Sequence, residues 1–209
     1  MQESPSHTFE LSGGALCLDF ANTWSDRERP DSDHLGAYSD LLAFASQTKL
    51  LSDAEVSRLA GRAEEDPPAA EAALALSRDL REDLYRIFSA LAASRLPDAA
   101  DLERLNIALP EALSRLRLER RDTEFVWAWA ATEDPLEAPL WPILRSAAEL
   151  LTSMERTLIR ECGGNSCTWL FLDRSRNRSR RWCSMETCGN RAKAQRHYRR
   201  RSETDRDAP

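Results

Sequence analysis

The sequence predicts a mainly α-helical α+β body with short β-hairpins, followed by a small C-terminal treble-clef or ribbon-like metal module. Apolar residues recur at helical spacing through most of residues 35–160, and two pairs of short apolar segments flank turn-forming residues. Four of the five cysteines fall within residues 162–188. With 209 residues, the chain can form one packed core and an appendage, so we expect a body over residues 1–155 and a module over 156–209.

Two β-hairpins are predicted in the body. Gly13 and Gly14 separate two apolar runs and tolerate the backbone of a two-residue turn, so residues 15–20 are predicted to form a buried strand. Residues 116–119 and 124–130 are predicted to form the second hairpin, because their alternating side chains are typical of strands.

Helical patterns occupy the rest of the body. A Ser-Asp pair followed by glutamate at residues 52–55 predicts an N-cap with a capping box. Asp98 or Asp101 is expected to start a later helix that Pro110 interrupts, because proline lacks the backbone N–H donor. The predicted helices span residues 35–50, 52–66, 69–96, 98 or 101 to 107, and 135 or 136 to about 160.

The charge of the chain is unevenly distributed. The net charge is −6, yet residues 156–201 carry thirteen Lys and Arg against three Asp and Glu. A basic module on an acidic body is typical of a protein that binds a polyanion. No apolar run approaches the roughly 20 residues of a membrane span. The N-terminus lacks a secretory pattern, so we expect a cytoplasmic protein with no membrane partner.

The C-terminal cysteines form two pairs, Cys162-x4-Cys167 and Cys183-x4-Cys188. Two closely spaced pairs around a short insert favour one zinc ion with four thiolate ligands. Two disulfides, an iron–sulfur cluster and redox catalysis are the alternatives, and a reducing compartment disfavours the first. A closed four-thiolate site has no open coordination position, so the zinc is expected to be structural.

The insert between the cysteine pairs is predicted to be a hairpin. Residues 168–173 and 180–184 read as strands joined by a polar turn. Ser184 or Thr187 is positioned to cap a helix that runs to about Arg201. A knuckle, a hairpin and a ligand-bearing helix together are typical of a treble-clef module.

The module resembles the CGNR zinc finger, whose name is spelled by residues 188–191 of this chain. The segments "FLDRSR" and "RRWCSM" fall in register with both cysteine pairs. The body resembles the ABATE domain, through "LSGGALCLDFANT" and "LREDLYRIF". Together the two likenesses cover nearly the whole chain. They imply a bacterial, stress-induced transcription regulator whose C-terminal finger binds DNA.

Basic residues of the module are the candidate contacts to double-stranded DNA. If residues 174–180 are extended, their alternate arginines share a face and can pair with phosphates. On the following helix, a face from Asn190 to Arg200 that includes His197 would enter a groove, with Asn190 able to pair with adenine. RNA, a protein partner and a merely solvated face are the alternatives. The candidate residues are Arg174, Arg176, Arg178, Arg180, Arg181, Asn190, Arg191, Lys193, Arg196 and Arg200.

A small finger buries little surface, so a homodimer or a second contact is expected to be needed for tight binding. A small-molecule effector pocket is predicted in the body, because polar residues follow a buried run and an aromatic face lies nearby. We expect it to be lined by Asp19, Asn22, Arg81, Trp127 and Trp129, with Asp19 and Arg81 in contact. A structural ion pair or helix cap is the alternative for Asp19.

No Ser/His/Asp set, Gly-rich phosphate loop or HExxH motif is present, so an enzyme is not expected. Three classes of function remain: a DNA-binding regulator, a zinc-stabilised protein–protein adaptor, and a small-molecule-binding protein.

Overall fold

The structure is a computed structural model, and it describes residues 8–130 and 134–196. Helices and two small antiparallel sheets make up the described fold, which confirms the predicted class. We call residues 8–155 the body and residues 156–196 the finger. The helices are α1 (Leu16–Ala21), α2 (Tyr38–Gln47), α3 (Asp53–Glu65), α4 (Pro67–Ala92), α5 (Ala99–Ser114) and α6 (Leu140–Thr152), and the strands are β1 (Leu116–Arg121), β2 (Glu124–Trp129), β3 (Ile159–Glu161) and β4 (Leu170–Leu172).

The first predicted hairpin is wrong, because residues 16–21 form helix α1 rather than a strand. Gly14 has a φ of 82°, and Ala15 is extended at the N-cap position before the helix begins. Both Cys17 and Phe20 are fully buried. A continuous apolar run suits a buried helix as well as a buried strand, and here tertiary packing selects the helix.

The second predicted hairpin is confirmed: β1 and β2 pair antiparallel, with Leu116 opposite Trp129. The capping box is also confirmed. Ser52 Oγ accepts a hydrogen bond from the Glu55 N–H, and Glu55 Oε2 accepts one from the Ser52 N–H.

Two helix ends differ most from the predicted ones. Pro110 lies inside α5, which Asp98 caps, and the helix continues to Ser114 because it packs between α4 and α6. Pro110 and Asn106 are exposed, so water can reach the carbonyl that loses its intrahelical donor. Helix α6 ends at Thr152, where Ser153 becomes extended and caps the 3₁₀ turn Met154–Leu158.

One hydrophobic core extends from the body into the finger. Ile159, Leu170 and Leu172 are at least 97% buried and belong to the same apolar cluster as α1, α4 and α6. Antiparallel β3 and β4 place Ile159 opposite Leu172, so both side chains face the body. A smaller cluster of Trp169, Phe171 and cysteines fills the finger itself. Within the described residues, no helix is both long and apolar enough to span a bilayer.

Candidate metal centre and nucleic-acid interface

The four finger cysteines converge on one point. Their Sγ atoms all lie within 4.8 Å of one another. Cys167 Sγ lies 3.8 Å from Cys183 Sγ, which lies 3.6 Å from Cys188 Sγ. Sulfurs that surround a tetrahedral zinc at ~2.3 Å are separated by about 3.8 Å. The four thiols therefore fit one zinc ion, as the spacing predicted.

The four thiols are packed closely enough to share their protons. The pKa of the Cys162 thiol is lowered because the thiols of Cys167 and Cys183 donate hydrogen bonds to its sulfur. The pKa of the Cys183 thiol is raised because its proton is held by Cys162 and Cys167 and its burial disfavours a charge. A divalent cation neutralises these sulfurs and holds all four as thiolates. With four protein ligands the site is closed, so its role is structural.

The chain reaches this geometry through a tight knuckle between β3 and β4. The Cys162 N–H donates to Trp169 O at 2.8 Å, and the Gly163 N–H donates to Arg181 O at 2.9 Å. A Cβ atom at residue 163 would lie 3.2 Å from Arg181 O, so glycine permits this close approach. The predicted insert hairpin is wrong, because β4 pairs with β3 and residues 180–184 form no strand.

The second cysteine pair is carried by a helical segment. Ser184 Oγ caps the π-helical turn Met185–Gly189, accepting from the N–H groups of Glu186 and Thr187. Residues 190–196 continue as a helix, and any continuation toward Arg201 lies outside the described residues. The finger thus has a knuckle between β3 and β4 and a helical segment that carries the second cysteine pair, with β3 as the strand that the sequence did not reveal.

The arginine-rich loop is compact rather than extended, so the predicted alternation does not hold. Asp173 is buried and accepts hydrogen bonds from Ser175 N, Ser175 Oγ and Arg180 N at 3.0, 2.5 and 2.9 Å. The Ser175 hydroxyl is the main reason that the pKa of Asp173 is lowered. The backbone of Arg178 has the left-handed conformation, with a φ of 48°. One carboxylate therefore closes residues 174–180 into a loop.

The loop arginines divide into two groups. Arg174 pairs with Glu155 at 2.8 Å and donates to Gly14 O, so it ties the finger to the body. The Arg180 guanidinium lies 4.5 Å from the Phe171 ring and donates to Trp182 O, so it is part of the finger.

The second group forms no ion pair with any described residue. Arg181 lies against the Trp182 ring at 5.9 Å. The side chains of Arg176 and Arg178 make no ion pair or hydrogen bond with any described residue.

The candidate residues on the finger helix are exposed. Asn190 Nδ2 donates to Glu186 O at 3.1 Å, and Arg196 Nε donates weakly to Ala192 O at 3.4 Å. Asn190, Arg191, Lys193 and Arg196 are all exposed. His197 and Arg200 lie outside the described residues.

The five predicted pocket residues do not form one pocket. The buried Arg81 binds Asp33 through both guanidinium NH2 groups, at 2.5 and 2.7 Å, rather than Asp19. Trp129 packs on Trp141, with ring centres 6.1 Å apart. Neither Trp127 nor Trp129 lines the cavity that Asp19 and Asn22 border.

Trp127 is 54% exposed, and its ring lies beneath Arg145.

Asp19 and Asn22 instead border a cavity of about 280 Å³ between body and finger. The finger contributes Ser166, Thr187 and Arg191 to its wall, and three of the thiols of the metal centre also line it, those of Cys167, Cys183 and Cys188. Burial raises the pKa of Asp19 to about 6, although its Oδ1 accepts a hydrogen bond from the Gly13 N–H at 2.7 Å. The wall of this cavity is therefore formed by α1 of the body and by the start of the finger helix.

Asn22 also clamps the finger to the body. Its Nδ2 donates to Leu170 O at 2.9 Å, and its Oδ1 accepts from the Leu170 N–H at 2.8 Å. Further along, the Thr168 N–H donates to Ser25 O and the Leu172 N–H to Gly13 O. The sequence assigned no such role to Asn22, since the strand that it binds lies 148 residues away.

The fold and the thiol site agree with comparisons to known families. A family model named ABATE, described as "Putative stress-induced transcription regulator", matches residues 14–154. A model of the CGNR zinc finger matches residues 159–201. The search of curated proteins returned no match. Both resemblances noted in the sequence are thereby confirmed.

Proposed function

Because this chain belongs to the ABATE family and carries a CGNR zinc finger, we propose that it is a transcription regulator whose finger binds double-stranded DNA. The observation that carries the proposal is the exposed basic surface beside the metal centre. Arg176 and Arg178 project from a loop that Asp173 and the thiol site hold in place. Cations that no neighbouring carboxylate neutralises are available to phosphate oxygens.

The two parts of the basic surface would have different tasks. Arg176, Arg178 and Arg181 in the loop would bind phosphates and supply affinity for any sequence. Asn190 and Arg196 on the helix would reach base edges, because an amide pairs with adenine and a guanidinium with guanine. Lys193 lies between them on the helix, and Arg191 lines the cavity.

Arg174 and Arg180 already have protein partners, and we therefore assign them to holding the loop in place.

The cavity between body and finger is our candidate effector site. A polar small molecule bound there would contact Asp19 on α1 and Arg191 at the start of the finger helix. The bound molecule would therefore favour one orientation of the finger helix over others. Regulation requires that a ligand make different contacts in two states of the protein. We propose that this chain is a cytoplasmic bacterial regulator and not an enzyme, and that it acts in the stress response named in the family's description.

The test is a fluorescence-anisotropy titration of genomic duplex fragments at several salt concentrations, with and without a zinc chelator. We expect binding that weakens with salt and is lost when zinc is removed. The variant Arg176→Ala/Arg178→Ala should bind more weakly, whereas Arg62→Ala/Arg95→Ala removes the same charge from the body and should bind normally. If duplex DNA is ignored at low salt, the proposal is wrong.

A further inference from the structure

The β1–β2 hairpin has a largely exposed apolar face. Leu118 lies opposite Trp127 on this face, and Phe125 lies two residues along β2. These side chains are 60%, 54% and 73% exposed, respectively. The base of the face is covered where Trp129 packs on Trp141, and the Arg145 guanidinium lies over the Trp127 ring. Large apolar side chains that project together mark an interaction surface.

The outer edge of β1 also lacks a partner strand. Its sheet has two strands among the described residues, so Leu116–Arg121 is paired on one side only. The backbone N–H and C=O groups of the other side are free to accept an added strand. A two-stranded hairpin is marginally stable in water, and further strands stabilise it.

We propose that this edge pairs antiparallel with β1 of a second copy of the chain, about a two-fold axis at Leu118. The two Leu118 side chains then meet at the axis, and each is flanked by Trp127 on its other side. Arg117 lies opposite Glu119 of the partner subunit, and Glu119 lies opposite the partner's Arg117. The surface is thus complementary to itself, as a two-fold interface must be.

The charge sequence of β1 selects this register. An axis at Arg117 or Glu119 would place identical charges opposite each other, and so would an axis at Arg120. Like charges directly opposite on neighbouring strands are destabilising. Among residues 116–120, which pair with their own copies, an axis at Leu118 avoids this. It replaces the pair that Arg117 and Glu119 make within one strand, at 2.9 Å, by two pairs between strands.

The first test measures the oligomeric state of the full chain by sedimentation, without DNA. We expect a monomer–dimer equilibrium. Arg117→Glu and Glu119→Arg should each weaken it by about tenfold, because each places like charges opposite twice. An equal mixture of the two variants should form heterodimers, because the changed charge of one variant then lies opposite the opposite charge of the other. Loss of the Arg117–Glu119 pair within one strand would not produce such heterodimers. Glu124→Arg, exposed on β2 outside the pairing, is the control and should leave association unchanged.

The second test locates the axis. Leu118→Cys should form a disulfide-linked dimer under mild oxidation, because the two residues are directly opposite. Arg120→Cys is on the same face, but its copies would be roughly 13 Å apart and should stay unlinked. A chain that is monomeric at every concentration, a dimer indifferent to the charge variants, or crosslinking through residue 120 would overturn the proposal. DNA binding is measured separately, so a failure of this interface can be distinguished from a failure of the proposed function.

Discussion

Replacing Asn22 with alanine tests whether one buried amide holds the finger against the body. Asn22 is 2% exposed, and its side chain satisfies both the N–H and the C=O of the fully buried Leu170. Alanine leaves both backbone groups buried without a partner. Each unsatisfied group costs about 1–3 kcal/mol, so we expect the free energy of unfolding to fall by about 2–6 kcal/mol.

The assay is urea unfolding, followed by tryptophan fluorescence and by zinc release to a chromophoric chelator. In the Asn22→Ala variant both transitions should move to lower urea, because Leu170 contributes to the body core and also follows the zinc knuckle. Asn190→Ala is the matched control: the same amide is removed from an exposed position, and stability should change by no more than about 0.5 kcal/mol. An Asn22→Ala protein as stable as the control would refute the clamp.

Three further predictions follow from the thiol site, the basic loop and the partly buried carboxyl group of Asp19. Elemental analysis should find about one zinc per chain, with sulfur at ~2.3 Å by X-ray absorption. Cys183→Ser should abolish zinc binding and disorder residues 174–196, and it should lower the stability of the body as well, because Leu170 and Leu172 belong to its core. An ordered finger without metal would contradict a structural role. If about five cations meet phosphates, log affinity should fall against log salt with a slope of roughly −4 to −5, and Arg176→Ala/Arg178→Ala should reduce it by about one per lost contact. An unchanged slope would show that these arginines do not meet DNA. Because burial raises the pKa of Asp19 from 3.8 to about 6, its stabilising effect is complete below pH 3.8 and is lost as the pH rises through 6. Asp19→Asn should therefore be more stable than the wild type by about 1–3 kcal/mol at pH 8 and equal to it at pH 3, measured by denaturant unfolding.

Local chemistry made part of this fold predictable from the sequence. The capping box at residues 52–55 and the hairpin of β1 and β2 depend on neighbours within a few residues. The four cysteines were predictable because metal coordination restricts their spacing. These features depend little on residues in distant parts of the chain.

The errors occurred where distant residues decide the local structure. Residues 16–21 are helical because of what packs around them, and β4 pairs with β3 rather than with residues 180–184. Asp173 closes the basic loop by accepting from residues two and seven positions ahead, which no arginine pattern indicates. The predicted pocket is wrong for the same reason, because Arg81 forms an ion pair with Asp33 rather than with Asp19.

The continuous core has a consequence for protein engineering. Zinc fingers are commonly regarded as cassettes that can be exchanged between proteins, but here β4 is needed by two structures at once. Phe171 fills the finger, while Leu170 and Leu172 on the adjoining positions fill the body. A chimaera that receives a foreign finger would therefore need leucine-sized residues at both positions and a main chain placed to meet Asn22. Exchange of the basic loop and helix alone, from residue 174 onward, would leave that shared strand in place and is the graft that the architecture permits.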